Sequence, residues 1–136
     1  MLLCSGNRKI NYSMKTWLVI GTGSFIGGVF RYLLPQFVQN KTHIVFPFGT
    51  LGVNIIGCLL IGIVFGISEK GNMNTEWRLF LATGVLGGFT TFSAFSLETV
   101  VMIRDGQSLS AFAYIALSVI IGVAATFGGI LLTKYL

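Results

Sequence analysis

The chain has 136 residues, of which 54% are hydrophobic and only 10% charged, with a mean hydropathy of +0.84; soluble domains carry about 25% charged residues. Four acidic and nine basic side chains cannot cover a water-facing surface of this size, which excludes an ordinary soluble fold and leaves the lipid bilayer as the main solvent. The net charge of +5 does not signal nucleic acid, because Lys and Arg stand singly between apolar runs as membrane-end anchors and form no basic stripe.

Residues 1–13 (MLLCSGNRKINYS) are mostly polar and lack the apolar core of a cleavable signal peptide, so they read as a short tail, with Met14 as an alternative start. Residues 14–136 then form a single four-helix transmembrane domain. Its apolar runs, Thr16–Leu34, about Pro47–Ile67, Trp77–Ile103 and Leu109–Leu132, lie near or above the ~20 residues that a helix needs to cross hydrocarbon. Four spans put both termini on one side. The first connection holds Gln36, Asn40, Lys41 and His43 and is bracketed by Pro35 and Pro47, where a missing amide proton is harmless. The second runs from Ser68 to Glu76 and the third is the turn Arg104–Gln107. Trp17, Tyr32, Trp77 and Tyr135 lie near span ends, as interface aromatics do.

Orientation follows the side that carries more Lys and Arg. The termini and second connection hold Arg8, Lys9, Lys15, Lys70, Arg78 and Lys134, against Arg31, Lys41 and Arg104 on the other side. Starting at Met14 reduces the first group to four, and so weak a bias allows insertion both ways round.

Many of the 18 glycines fall inside spans at four-residue spacing: Gly23 with Gly27, Gly62 with Gly66, Gly84 with Gly88, and Ala124 with Gly128. Such small faces let helix backbones approach closely, the source of packing energy in lipid. GTGSFIGG at Gly21–Gly28 has the spacing G-x-G-x-x-x-G and no βαβ context, so it is no dinucleotide loop. Cys4 and Cys58 have no metal or redox spacing, and His43 is the only histidine, so the usual catalytic dyads and zinc sites cannot be assembled and an enzyme is not expected.

Chemistry concentrates in the third span, ATGVLGGFTTFSAFSLETVV from Ala82 to Val101. Gly87-Gly88 followed by Thr90-Thr91 weakens the helix at mid-depth, and non-helical backbone there must be buried in protein or line a cavity. Two readings fit: a glycine kink for packing, or freed carbonyls that hold a hard cation such as sodium. Phe89, Phe92 and Phe95 recur every three residues on one face, either as core or as positive ring edges for a small desolvated anion. Ser93, Ser96 and Glu98 add polar groups within the span, and a carboxylate at that depth points to function unless it lies at the interface. In the second span Thr50 and Asn54 share a face, as interhelical glue or as donors. Arg31 carries its guanidinium either to the interface or into an aqueous vestibule.

GGVFRY at Gly27–Tyr32, FGTLGVNIIGCLLIG at Phe48–Gly62 and GVLGGFTTFSAFSLE at Gly84–Glu98 together resemble the signature segments of the Fluc/CrcB family of fluoride channels. The resemblance covers nearly the whole chain. It implies an all-α membrane protein with the third helix broken near its middle, assembled as an antiparallel, dual-topology dimer with two pores in the cell membrane. The dimer would pair two copies or this chain with a homologous subunit, and would conduct fluoride passively out of the cytoplasm, lowering its toxicity. By the same resemblance Phe92 and Phe95 are the pore phenylalanines and Asn54 the amide donor to fluoride. Ser93, Glu98, Tyr114 and Ser118 form a polar track, with Thr50 beside Asn54, and Arg31 lies by the vestibule. The carbonyls of Gly87 and Thr90 from both subunits cage a structural sodium ion on the dimer axis. One departure stands out: the family usually reads TTFSTF, and Ala94 here replaces the second-motif threonine.

Two other readings make different demands. A small proton-coupled multidrug exporter also has four spans and an antiparallel dimer, but needs a carboxylate deep in the first span, and Thr16–Leu34 contains none. A non-conducting membrane assembly subunit requires that changing Asn54, Phe92 or Phe95 alter stability and no anion flux.

Overall fold

A computed structural model describes residues 13–39 and 46–135; the tail up to residue 12, with Cys4, and residues 40–45, with His43, lie outside the described part. Among the described residues all regular structure is helical: α1 (Met14–Gln39), α2 (Phe48–Glu69), the single turn α3 (Thr75–Arg78), a π-helical stretch Leu79–Leu86, the short α4 (Gly87–Phe89), α5 (Phe92–Arg104) and α6 (Ser108–Thr133). From α3 to α5 the chain makes one crossing, so four segments are long and apolar enough to span a membrane. Their bounds agree with the apolar runs to within a few residues, with one exception. Pro35 lies inside α1, not in the connection. Its ring removes the donor that the Arg31 carbonyl would use in an unbroken helix, and it packs on α2 where Gly49 has no side chain: a Cβ there would sit 2.7 Å from Pro35 Cβ.

Two ties hold one end of the bundle together. Lys15 and Glu76 form an exposed 2.7 Å ion pair between the start of α1 and α3, and the Lys70 ammonium donates to the Thr133 carbonyl at the end of α6, where a helix favours a cation. The start of α1 and the end of α6 therefore gather beside the second connection, as an even number of spans requires. At the opposite end Gly106 adopts φ +77, a left-handed conformation that favours glycine, while the Gln107 amide donates to the Met102 carbonyl and closes α5.

Glycines decide the packing. A Cβ on Gly27 would lie 2.0 Å from the Val85 carbonyl oxygen, and one on Gly88 would lie 2.5 Å from that of Ser24, so α1 meets the third crossing backbone to backbone. Gly23 and Gly84 complete that seam. Between α2 and α6 the close contacts come from Gly62, Gly66 and Gly129. The expected pair Ala124 and Gly128 is not part of that contact, since a Cβ on Gly128 would meet nothing within 4 Å; Gly129 is one position on, about 100° round the helix. The compact apolar core is small: Leu51, Met102, Ala111 and Tyr114, flanked by Phe46, Ile55 and Phe95.

Candidate functional site

The third crossing is interrupted at its middle, and the threonines rather than the glycines make the break. Gly87 and Gly88 stay helical. Thr90 (φ −81, ψ 155) and Thr91 (φ −149, ψ 117) are both extended, a conformation that suits β-branched residues. The Thr90 amide and hydroxyl both donate to the Leu86 carbonyl and finish α4. On the other side of the break, the Thr91 hydroxyl caps α5 by accepting from the Ala94 amide at 3.3 Å, and lies 3.1 Å from the Ser93 hydroxyl.

The backbone groups of Thr91 are taken up by α2. Asn54 accepts from the Thr91 amide through Oδ1 at 2.9 Å and donates to the Thr91 carbonyl through Nδ2 at 3.2 Å. Helical continuity would have paired that amide with the Gly87 carbonyl, which is thereby released. Exposed Gly87 and half-buried Thr90 both border an open groove of about 380 Å³, whose walls include Asn54, Phe92, Phe95 and Ser118. The Phe92 and Phe95 ring centroids are 5.6 Å apart, with planes at 45°, and Phe92 is 79% exposed, so its ring faces the opening.

A second open space of about 470 Å³ brings together Arg31, Tyr32, Thr50, Ser93 and Ala94. Thr91 borders both spaces. Glu98 sits half-buried beside the core and is held by two hydroxyls: Thr50 donates to Oε1 at 2.6 Å and fully buried Tyr114 donates to Oε2 at 2.7 Å. Tyr114 in turn packs its ring 5.1 Å from that of Phe95.

The candidate site residues thus fall into three adjoining groups, whereas Phe89, expected on one face with Phe92 and Phe95, is buried at the end of α4, and the extended Thr90 and Thr91 separate it from them. Asn54, Phe92, Phe95 and Ser118 share the groove with Gly87 and Thr90. Arg31, Thr50 and Ser93 share the vestibule-like space. Glu98 and Tyr114 form a hydroxyl-carboxylate contact with Thr50 next to the phenylalanines. The residue that sequence reasoning missed is Thr91, noted only as a helix breaker; its cue was a β-branched pair directly ahead of a helix that needs an N-cap. Cys58, which has no metal or redox spacing, also borders the groove.

A family profile described as CrcB-like protein, Camphor Resistance (CrcB) matches residues 18–130. Proteins named fluoride-specific ion channel FluC are similar over most of their length. That of Flavobacterium psychrophilum is 44% identical over 124 residues, covering 90% of this chain and 100% of the relative. That of Agrobacterium fabrum is 47% identical over 120 residues, covering 87% and 95%, and that of Leptospira interrogans is 41% identical over 126 residues, covering 92% and 98%. With a profile that reaches into all four membrane-spanning segments and relatives this close, the chain is a multi-pass membrane protein and belongs to the CrcB-like protein family.

Proposed function

We propose that the chain is one subunit of a fluoride-specific channel in the cell membrane, which lets fluoride leave the cytoplasm down its gradient; it is a channel component and no enzyme. The observation that carries this reading is the pair Phe92 and Phe95 at the head of α5, lining an open groove beside the Asn54 amide at the break. Aromatic edges attract a small anion without the full positive charge that would trap it. The Asn54 carboxamide has two N–H donors, of which one goes to the Thr91 carbonyl, so the other remains for an ion in the groove. Ser118 in the groove, and Thr50 and Ser93 in the adjoining space, supply hydroxyls with which a partly dehydrated anion could exchange hydrogen bonds, Glu98 and Tyr114 hold the polar track behind them, and Arg31 stands at the aqueous approach.

A pore bounded by the open groove needs a second wall. An antiparallel partner, either another copy or a paired homologous subunit, would supply it and bring two breaks face to face. The released Gly87 carbonyl and the neighbouring Thr90 carbonyl suit a hard cation such as sodium, which binds oxygen ligands; two carbonyls per chain are too few for its shell, so both subunits would contribute. When bound, the ion supplies a fixed positive charge that holds the two breaks together.

The test is purified protein in liposomes with a fluoride gradient, read by a fluoride electrode. Fluoride should leave the vesicles and chloride should be largely retained; vesicles impermeable to fluoride, with this chain alone or with any homologous partner, would refute the function. Replacing sodium by choline throughout should lower both flux and thermal stability. Full flux after exhaustive sodium removal would contradict the ion cage while leaving the channel reading intact.

A further inference from the structure

We propose that Asn54 is a positioning residue: it braces the break in the third span by taking over the backbone hydrogen bonds of Thr91, and so keeps the Gly87 carbonyl free of its helical partner. The inference goes beyond the role of Asn54 as an anion donor and concerns the fold of the groove itself.

Two observations from different parts of α2 converge. The first is the double hydrogen bond, in which one side-chain amide satisfies both the amide and the carbonyl of one extended residue, as a neighbouring strand would. Unpaired backbone groups are costly inside a membrane, so without this bond the Thr91 amide would regain stability by returning to the Gly87 carbonyl. The break would then close toward continuous helix. The second is Gly57, three residues after Asn54 and hence on the same face. A Cβ there would lie 2.1 Å from Thr90 Cγ2, so the missing side chain leaves the space that the methyl group of extended Thr90 occupies. Asn54 and Gly57 thus form a seat shaped for Thr90 and Thr91 in the extended state. A short polar side chain that presents an acceptor and a donor on two separate atoms satisfies both backbone groups at once; among natural side chains of this size, only asparagine does so without a titratable group.

The brace also explains why two glycines ahead of the break remain helical. Gly87 and Gly88 do not interrupt the backbone by themselves. It is the competition between Asn54 and Gly87 for one amide proton that decides where the helix stops.

Thr90-Thr91 is the single Thr-Thr pair in the chain, so threonine labelled with carbonyl ¹³C and ¹⁵N marks this one peptide bond for solid-state NMR of the full protein in bilayers. With asparagine labelled at ¹³Cγ, the Thr91 nitrogen should show a short-range coupling to an asparagine side-chain carbon, and Asn54→Ala should abolish it. In Asn54→Ala the Thr90 carbonyl shift should move toward helical values. If the break stays open instead, Thr91 amide exchange should accelerate by up to about tenfold, the factor expected for one ordinary hydrogen bond. Asn54→Asp keeps an acceptor oxygen, and should retain the extended shift and slow exchange. A Thr91 nitrogen with no asparagine contact in the unmodified protein would overturn the proposal, and that measurement needs no variant to fold. So would an Asn54→Ala protein that loses fluoride flux while its Thr90 shift and Thr91 exchange stay unchanged, since Asn54 would then serve the ion alone. The NMR readings do not depend on the channel reading, so its failure in the flux assay would be told apart from failure of the brace.

Discussion

Ahead of Thr90 the third span leans on α1 with backbone against backbone, through Gly23 and Gly27 on one side and Gly84 and Gly88 on the other. Beyond Thr91 the same span meets its neighbours through polar and aromatic side chains: Thr50 and Tyr114 on the Glu98 carboxylate, and Phe95 on Tyr114. The first half is a close-packed scaffold whose seam glycines leave no room for an added atom. The second half rests on a few directional contacts and leaves Phe92 uncovered at the groove. One crossing therefore combines an anchor with the proposed working surface, and Asn54 stands at the joint. The difference follows from residue type, since glycine seams gain from proximity alone, whereas hydroxyl and carboxylate pairs gain only when each partner is placed.

The largest effect should come from violating the anchor. Gly27→Ala forces a Cβ to within 2.0 Å of the Val85 carbonyl oxygen and 2.8 Å of the Phe89 nitrogen, backbone atoms that cannot swing aside. We expect about 3 kcal/mol or more of destabilisation, at the upper end of overpacking costs, measured by reversible unfolding in mixed micelles. Gly28→Ala is its control: nothing lies within 4 Å of the added atom, and stability should change by no more than about 0.5 kcal/mol. Equal losses in the two would show that the seam is not where the geometry puts it.

Next comes the working surface. Phe92→Ile or Phe95→Ile removes a ring edge from the groove and should reduce fluoride efflux by roughly tenfold, the upper range of one aromatic contact. Phe92→Ile should do so without loss of stability, because that ring is 79% exposed in the single chain. Unaltered flux in both variants would remove the phenylalanines from the ion pathway. Tyr114→Phe should act more mildly on the fold, costing about 1 kcal/mol, as hydrogen bonds between membrane helices do. It takes away the donor to Glu98 Oε2 while keeping the ring on Phe95. A Thr50→Val change should give a similar loss, and the two together should be less than additive if both hydroxyls serve one carboxylate.

Much of this arrangement is legible in the sequence. Four apolar runs give four crossings because hydrophobic length alone decides what spans a bilayer. The glycine seams at Gly23/Gly27, Gly84/Gly88 and Gly62/Gly66 follow from spacing. Pro35 is less legible, because in lipid a proline can sit within a helix when a neighbour fills the space, and that depends on Gly49, in the next span. The glycines at 87 and 88 drew attention as helix breakers, yet propensity is overridden where a glycine is needed for contact, as Gly88 is against Ser24. The π-helical turn Leu79–Leu86 carries no pattern in composition that distinguishes it from α-helix. The pairing of Asn54 with Thr91 joins residues 37 positions apart, a distance over which local pattern says nothing.

The smallest expected change concerns Ala94, where the family pattern has threonine. Ala94 lies on the wall of the space that also holds Arg31, Thr50 and Ser93, so a hydroxyl added there would face the proposed approach of the anion to the break. Helix stability argues slightly against the substitution, since threonine is a poorer helix former than alanine by up to about 0.7 kcal/mol. Dehydration argues for it, because each hydroxyl donor on the approach replaces part of the water that fluoride must shed. We expect Ala94→Thr to raise initial fluoride efflux by roughly two- to threefold, a gain of about half a kcal/mol at the barrier, with the stability of the protein little altered. A rate equal to or below that of the unmodified chain, with protein content matched in the vesicles, would place Ala94 off the ion's route and restrict the working surface to the groove side of Thr91.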